Sequence, residues 1–272
     1  MIKHLIYDIE EVEPYINWLY FFHAWGLSGK PVKEKEHMKE EALRLLSSWH
    51  GKYQTHALFG IFDANSDGDD LLLENMRIPM LRQQHPTETG APNLCLADFV
   101  RPQISGAKDR VGAFCTTVDG ESTCAYKHDE YLSLLSQVVS DRLAEATAEK
   151  MHQEVRKKYW GYASDEHLSI EQLHREEYQG IRPAIGYPSL PDVSVNFLLD
   201  RLLDMGQVNI RLTESGMMTP HSSVSGFMFA HPQARYFDLG KIGEDQLVDY
   251  AHRRGLPKEL VRRFLQSKLI KQ

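Results

Sequence analysis

The sequence predicts an α+β fold, a single domain with a mainly antiparallel sheet and flanking long helices. Three observations lead there. Candidate strands come in neighbouring groups rather than alternating one by one with helices, which disfavours a doubly wound parallel sheet. One helical stretch far exceeds the others. No repeat period, low-complexity tract or Pro/Gly-rich linker divides the 272 residues, a length ample for one sizeable core.

In chain order, residues 1–14 read as a lead-in, and the aromatic-dense stretch from Tyr15 to Trp25 follows. In residues 35–49 the apolar Met38, Ala42, Leu45, Leu46 and Trp49 recur at three- and four-residue steps, the stripe of a surface helix that Gly51 stops. β-branched and aromatic runs predict strands over 55–62, 94–100 and 111–118. Residues 129–159 hold Leu132, Leu135, Val139, Leu143, Met151 and Val155 near one face without an internal Gly or Pro, predicting one or two long helices. Further strands are expected over 208–213, 224–231 and 235–239. Helical patterns close the chain at 244–254 and 257–265, the last opened by Pro257.

Composition excludes several classes. Thirty-one Lys and Arg against 38 Asp and Glu give a net charge of -7, which disfavours general affinity for a nucleic-acid backbone. Mean hydropathy is -0.43, and the apolar runs fall short of the roughly 18 residues that a membrane helix needs. The N-terminus has no apolar signal core, and the three cysteines (Cys95, Cys115, Cys124) show no Cys-x-x-Cys spacing. A reduced, cytoplasmic protein without structural zinc is the expectation.

Asp63, Asn65, Asp67, Gly68 and Glu74 match a calcium-loop pattern, but residues 57–62 read as a strand and loop position eight is Asp70, so a polar hairpin loop is expected. No nucleophile elbow, phosphate-binding loop or dinucleotide fingerprint is present, and the thirteen histidines form no recognised ligand pair. More informative is Arg182-Pro183-Ala184-Ile185-Gly186-Tyr187-Pro188, a rigid, irregular path carrying an Arg and a Tyr. A guanidinium held on a stiff loop suits bidentate recognition of a carboxylate, and Gly186 lets a flat ligand lie against the backbone. The other reading is an ordinary turn whose Arg pairs with a neighbouring acid. Tyr236 and Phe237 open the strand after His231-Pro232, where alternation puts one ring on each sheet face. Asn17 sits among large rings, and Glu145 lies on the flank of the long helix's apolar stripe.

Together these segments resemble the activation domain of cobalamin-dependent methionine synthase, from about residue 15 to residue 265. The carriers include Tyr15-Ile16-Asn17-Trp18, Leu94-Cys95-Leu96-Ala97-Asp98-Phe99, Tyr159-Trp160-Gly161-Tyr162-Ala163, Tyr178-Gln179-Gly180-Ile181-Arg182-Pro183-Ala184, Leu212-Thr213-Glu214-Ser215 and Ser223-Val224-Ser225-Gly226. The resemblance implies a curved sheet across the whole chain and an S-adenosylmethionine-binding module for reductive remethylation of oxidised cobalamin. It also implies a binding set. Arg182 would hold the methionine carboxylate, framed by Ala184, Gly186 and Tyr187. Glu145 would favour the amine and sulfonium, and Tyr236 and Phe237 would take the adenosine. Asn17 stands where the family usually has Asp, Phe237 where it has Tyr and Ile185 where it has Pro; each lost charge or hydroxyl is worth roughly 0.5–3 kcal/mol. Implied partners are a cobalamin-binding domain, carrying the cobalamin, and a flavodoxin-like or other electron donor. No side chain is expected to act as general acid or base, and no metal site is expected. The alternative is a scaffold that binds the cobalamin-carrying domain but has lost useful S-adenosylmethionine affinity.

Overall fold

One long strand organises the sheet. The protein is described here by a computed structural model that covers residues 2–85, 90–120, 122, 125–126 and 128–270; Cys124 lies outside the described residues. Strand β1 (Ile2–Asp8) pairs antiparallel with the first half of β2 (Gln54–Asp67), so the expected lead-in supplies a strand instead. Its signal was the inward alternation of Leu5 and Tyr7. The second half of β2 pairs with β3 (Asp70–Leu73), which pairs with β4 (Met76–Pro79). On its other side β2 pairs with β5 (Asp109–Val118). After the short ribbon of β6 (Arg211–Leu212) and β7 (Met218–Thr219), β8 (Ser223–Met228) completes the order β4-β3-β2-β5-β8.

Period-two alternation splits the apolar residues of this sheet between two cores. Leu58, Val111, Ala113, Cys115 and Phe227 face one, and Ala57, Phe59, Phe114 and Met228 face the other. The second core is covered by helices. A single turn α1 (Ile9–Val12) leads into α2 (Trp18–Ala24) and α3 (Val32–Trp49), which Gly51 ends at φ 68°. The expected long helix is one element, α4 (Glu130–Glu154), capped by Asp129 and closed by a wider turn through Tyr159. Short α5 (Ile170–His174) follows, and α6 (Asn196–Leu203) lays Leu199 and Leu203 on the first core. The terminal pair α7 (Glu244–Arg254) and α8 (Lys258–Phe264) forms a third cluster around Leu247, Tyr250 and Val261. No helix among the described residues is long and apolar enough to cross a membrane.

Three expected strands differ. Residues 95–97 and 99–100 are buried but the segment forms the 3-10 turn Leu96–Phe99, because the exposed Asp98 accepts from the Cys95 N–H at 2.8 Å and is held by Arg82. A local side-chain bond there replaces a ladder. Only Arg211–Leu212 of residues 208–213 is extended, and residues 235–239 contain no strand. The calcium-like pattern is a two-residue hairpin, with Asp67 opposite Asp70 and Gly68 at φ 59°. Asp67 and Asp70 are taken by cations: Arg77 donates to both, and Arg253 to Asp70. Among the described residues no group of acids, His and Cys is arranged to hold a metal.

The segment following residue 180 is laid along the free edge of β8. Ile181 and Phe229 exchange both backbone hydrogen bonds, Phe227 N donates to Pro183 O, and Ile185 N donates to Ser225 O at 2.8 Å. Two glycines make this approach possible. A Cβ on Gly226 would lie 2.2 Å from Pro183 O, and one on Gly180, whose φ is 85°, would lie 2.3 Å from Phe229 O. Gly226→Ala is therefore expected to push the segment off β8 and cost about 1–3 kcal/mol, read as a lower Tm in thermal denaturation; an unchanged Tm would contradict this seating.

Candidate functional site

A cleft of about 590 Å³ opens between the edge segment, the long helix α4 and the start of α2. Seven of the eight residues singled out from the sequence line it: Asn17, Glu145, Arg182, Ala184, Tyr187, Tyr236 and Phe237. Gly186 does not. Its φ of 91° turns the chain between Ala184 and Tyr187, its N–H donates to Leu190 O, and its Cβ position faces Val193 rather than the cleft. The glycine thus serves the turn.

Arg182 is both on a stiff edge and paired with an acid, so the two readings of this segment meet. Its Nη2 donates to Glu149 Oε2 at 3.0 Å, with the side chains only 10% and 11% exposed. Burial alone pushes the guanidinium towards its neutral form, but Glu149, with Tyr236, Tyr178 and Glu145 behind it, outweighs that and raises the pKa. Arg182 remains a cation. Its Nε and the other Glu149 oxygen, Oε1, are buried without a hydrogen-bond partner. A buried donor and a buried acceptor left unpaired on one ion pair each carry a cost of about 1–3 kcal/mol, which a ligand bearing both complementary groups would remove.

The remaining walls have defined supports. Asn17 is the N-cap of α2, its Oδ1 accepting from Leu19 N at 3.1 Å. The Tyr187 hydroxyl donates to Glu145, and burial followed by that carboxylate pushes its pKa up. Tyr236 accepts from the Arg182 backbone N–H at 2.9 Å and shares a hydrogen bond with Tyr178 at 3.3 Å. Because residues 235–239 are not a strand, Tyr236 and Phe237 both reach the cleft instead of opposite sheet faces.

Sequence reasoning missed Glu149 and the polar column behind it. Glu149 lies one helical turn after Glu145, so i, i+4 spacing was the available signal. In the column, Arg156 is fully buried, donates through Nε and Nη2 to Glu166 at 2.7 and 2.8 Å, and stacks 4.0 Å from the Tyr178 ring centre. Its Nη1 points at His152 Nδ1, 2.8 Å away. Since a guanidinium only donates, Nδ1 accepts, and the neutral ring carries its proton on Nε2, towards the Tyr162 hydroxyl. Burial, then the Arg156 and Arg182 charges, hold the His152 pKa well below the usual imidazole value.

The model for the activation domain of vitamin B12 dependent methionine synthase matches residues 8–255. Among solved structures, the MetH reactivation domain bound to AdoHcy is similar over 100% of this chain and 91% of that one, with a TM-score of 0.93 and 37% sequence identity.

The buried imidazole fixes the sign of one pH effect. With the folded pKa lowered, the unfolded chain binds the extra proton below about pH 6.5, so stability falls as pH drops through that value. Denaturation at pH 7.5 and 5.5 should show this loss, and His152→Gln, which can still accept from Arg156, should flatten it; an equal slope in both proteins would contradict a neutral buried His152.

Proposed function

The chain belongs to the vitamin B12-dependent methionine synthase activation-domain family, and on that footing we infer that it is an S-adenosylmethionine-binding reactivation module. One observation carries this reading: Arg182 and Glu149, whose Nε and Oε1 are buried without a partner, both line a cleft of about 590 Å³ that also presents Tyr236 and Phe237. That set fits the cosubstrate. A cleft of this size lies within the range of small-ligand sites, the donor and acceptor suit an amino-acid tail, and the rings suit a nucleoside. A scaffold with no ligand would have no need of such unpaired groups, which favours binding.

Bound there, S-adenosylmethionine supplies an electrophilic sulfonium methyl group. The chain's own share is positioning. Arg182, fixed by the β8 edge and by Tyr236, holds the carboxylate; Ala184 and the turn at Gly186 shape the wall beside it. Glu145, braced by Tyr187, places negative charge on that wall to favour the cationic sulfur and amine, and Asn17 offers the same region a neutral amide. Tyr236 and Phe237 flank the adenosine. Proton transfer has no part in this, so no side chain serves as acid or base. The methyl acceptor is cobalamin carried by a cobalamin-binding domain, with a flavodoxin-like or other reductant supplying the electron, and the 272 residues act in the cytoplasm as one activation unit of that methyltransferase system.

Calorimetry with S-adenosylhomocysteine tests the assignment. Arg182→Lys keeps the charge that balances Glu149 but loses the planar fork, and is expected to weaken binding at least tenfold while the fold survives; unchanged affinity would refute the carboxylate role. Asn17→Asp retains an N-cap side chain for Leu19 N and adds a negative charge, so affinity should rise several-fold, and an unaltered or lower affinity would remove position 17 from the amine-binding wall.

A further inference from the structure

Resting on the reading of this cleft as an S-adenosylmethionine site, we propose that Glu149 is the acceptor for the ligand's α-ammonium and, until ligand arrives, the internal stand-in for its carboxylate.

The geometry of one ion pair carries this. Glu149 Oε2 occupies one arm of the Arg182 fork at 3.0 Å, which is what a bound carboxylate would do. The unused Arg182 Nε and the unused Glu149 Oε1 are both buried and both without a partner. An α-amino acid carries the complement of each within one small group: a carboxylate to accept from the guanidinium and an ammonium to donate to the carboxylate. Inserting that zwitterion between the two gives an alternating arrangement of four charges and leaves neither protein group uncompensated. The other acids on the wall are less suited. Glu145 already accepts from Tyr187, Asp238 accepts from Gly240 N and Lys268 Nζ, and Glu176 is exposed to water that screens its charge, while position 17 carries a neutral amide whose oxygen is used by the Leu19 N–H. Glu149 is 9% exposed, so its charge acts with little screening by water. Its place on the rigid α4, rather than on a loop, keeps it in register with Arg182.

The proposal separates Glu149 from a residue that merely holds Arg182 in place. A structural prop would affect all ligands alike, and a simple competitor for the guanidinium would, when neutralised, let ligand bind more tightly. An ammonium acceptor instead sets a preference for ligands that have the ammonium.

The test compares S-adenosylhomocysteine with its analogue lacking only the α-amino group, by calorimetry on the full chain. Wild type should prefer the amino compound at least tenfold, and Glu149→Gln should reduce that preference to within about threefold, a shift of at least roughly 0.7 kcal/mol. A preference that survives in Glu149→Gln, or one that wild type never shows, overturns the proposal, as does tighter binding of S-adenosylhomocysteine by the variant. Should the amide variant not fold, Glu149→Asp, which keeps the balancing charge but retracts it by one methylene, is read the same way and should lower the preference at least threefold; an unchanged preference there overturns the proposal equally. Failure of wild type to bind S-adenosylhomocysteine at all is a different result: it removes the functional reading itself, and this proposal with it.

Discussion

The ion pair between Arg182 and Glu149 is the constraint around which the site is built. It joins the edge segment of the sheet to the long helix, with both charges about nine-tenths removed from water. Two such charges are tolerated only together, since stripping either partner from a buried pair typically costs about 3–5 kcal/mol. The pair therefore does two things at once. It fastens the segment that carries Ala184 and Tyr187 to α4, and it keeps a guanidinium and a carboxylate facing a cleft without letting water screen them.

What makes that pairing possible is the absence of two side chains. Gly226 and Gly180 let residues 180–185 run against β8 closely enough for backbone hydrogen bonds, so the Arg182 backbone is fixed before its side chain does anything. Behind it, Glu166, Arg156 and His152 satisfy one another, and Tyr178 passes that order to Tyr236, which grips the Arg182 N–H. A backbone held by such packed neighbours has little freedom left to lose if a ligand reaches the Arg182 side chain.

Much of the molecule was legible from residues alone. The long helix announced itself through Leu135, Val139 and Leu143 without a Gly or Pro to interrupt them, and the central strands through β-branched runs. Two of the misreadings are alike. Residues 94–100 and 235–239 are as apolar as strands, but Asp98 captures the Cys95 N–H in one, and in the other irregular backbone carries Tyr236 and Phe237 to the same side. Periodicity is blind to such local bonds. The family likeness gathered seven residues that the fold does bring to one cleft, although they span positions 17 to 237. It did not point to Glu149, because an acid one turn beyond Glu145 looks like a solvated helix face until Arg182 is placed against it.

The central claim is that the Arg182–Glu149 pair opens to receive an amino-acid zwitterion. A crystal structure of the chain with S-adenosylhomocysteine tests it most directly. The ligand carboxylate should lie on the Arg182 fork, with the Glu149 carboxylate turned onto the ammonium. Ligand bound elsewhere in the cleft, with the pair still closed, would contradict it.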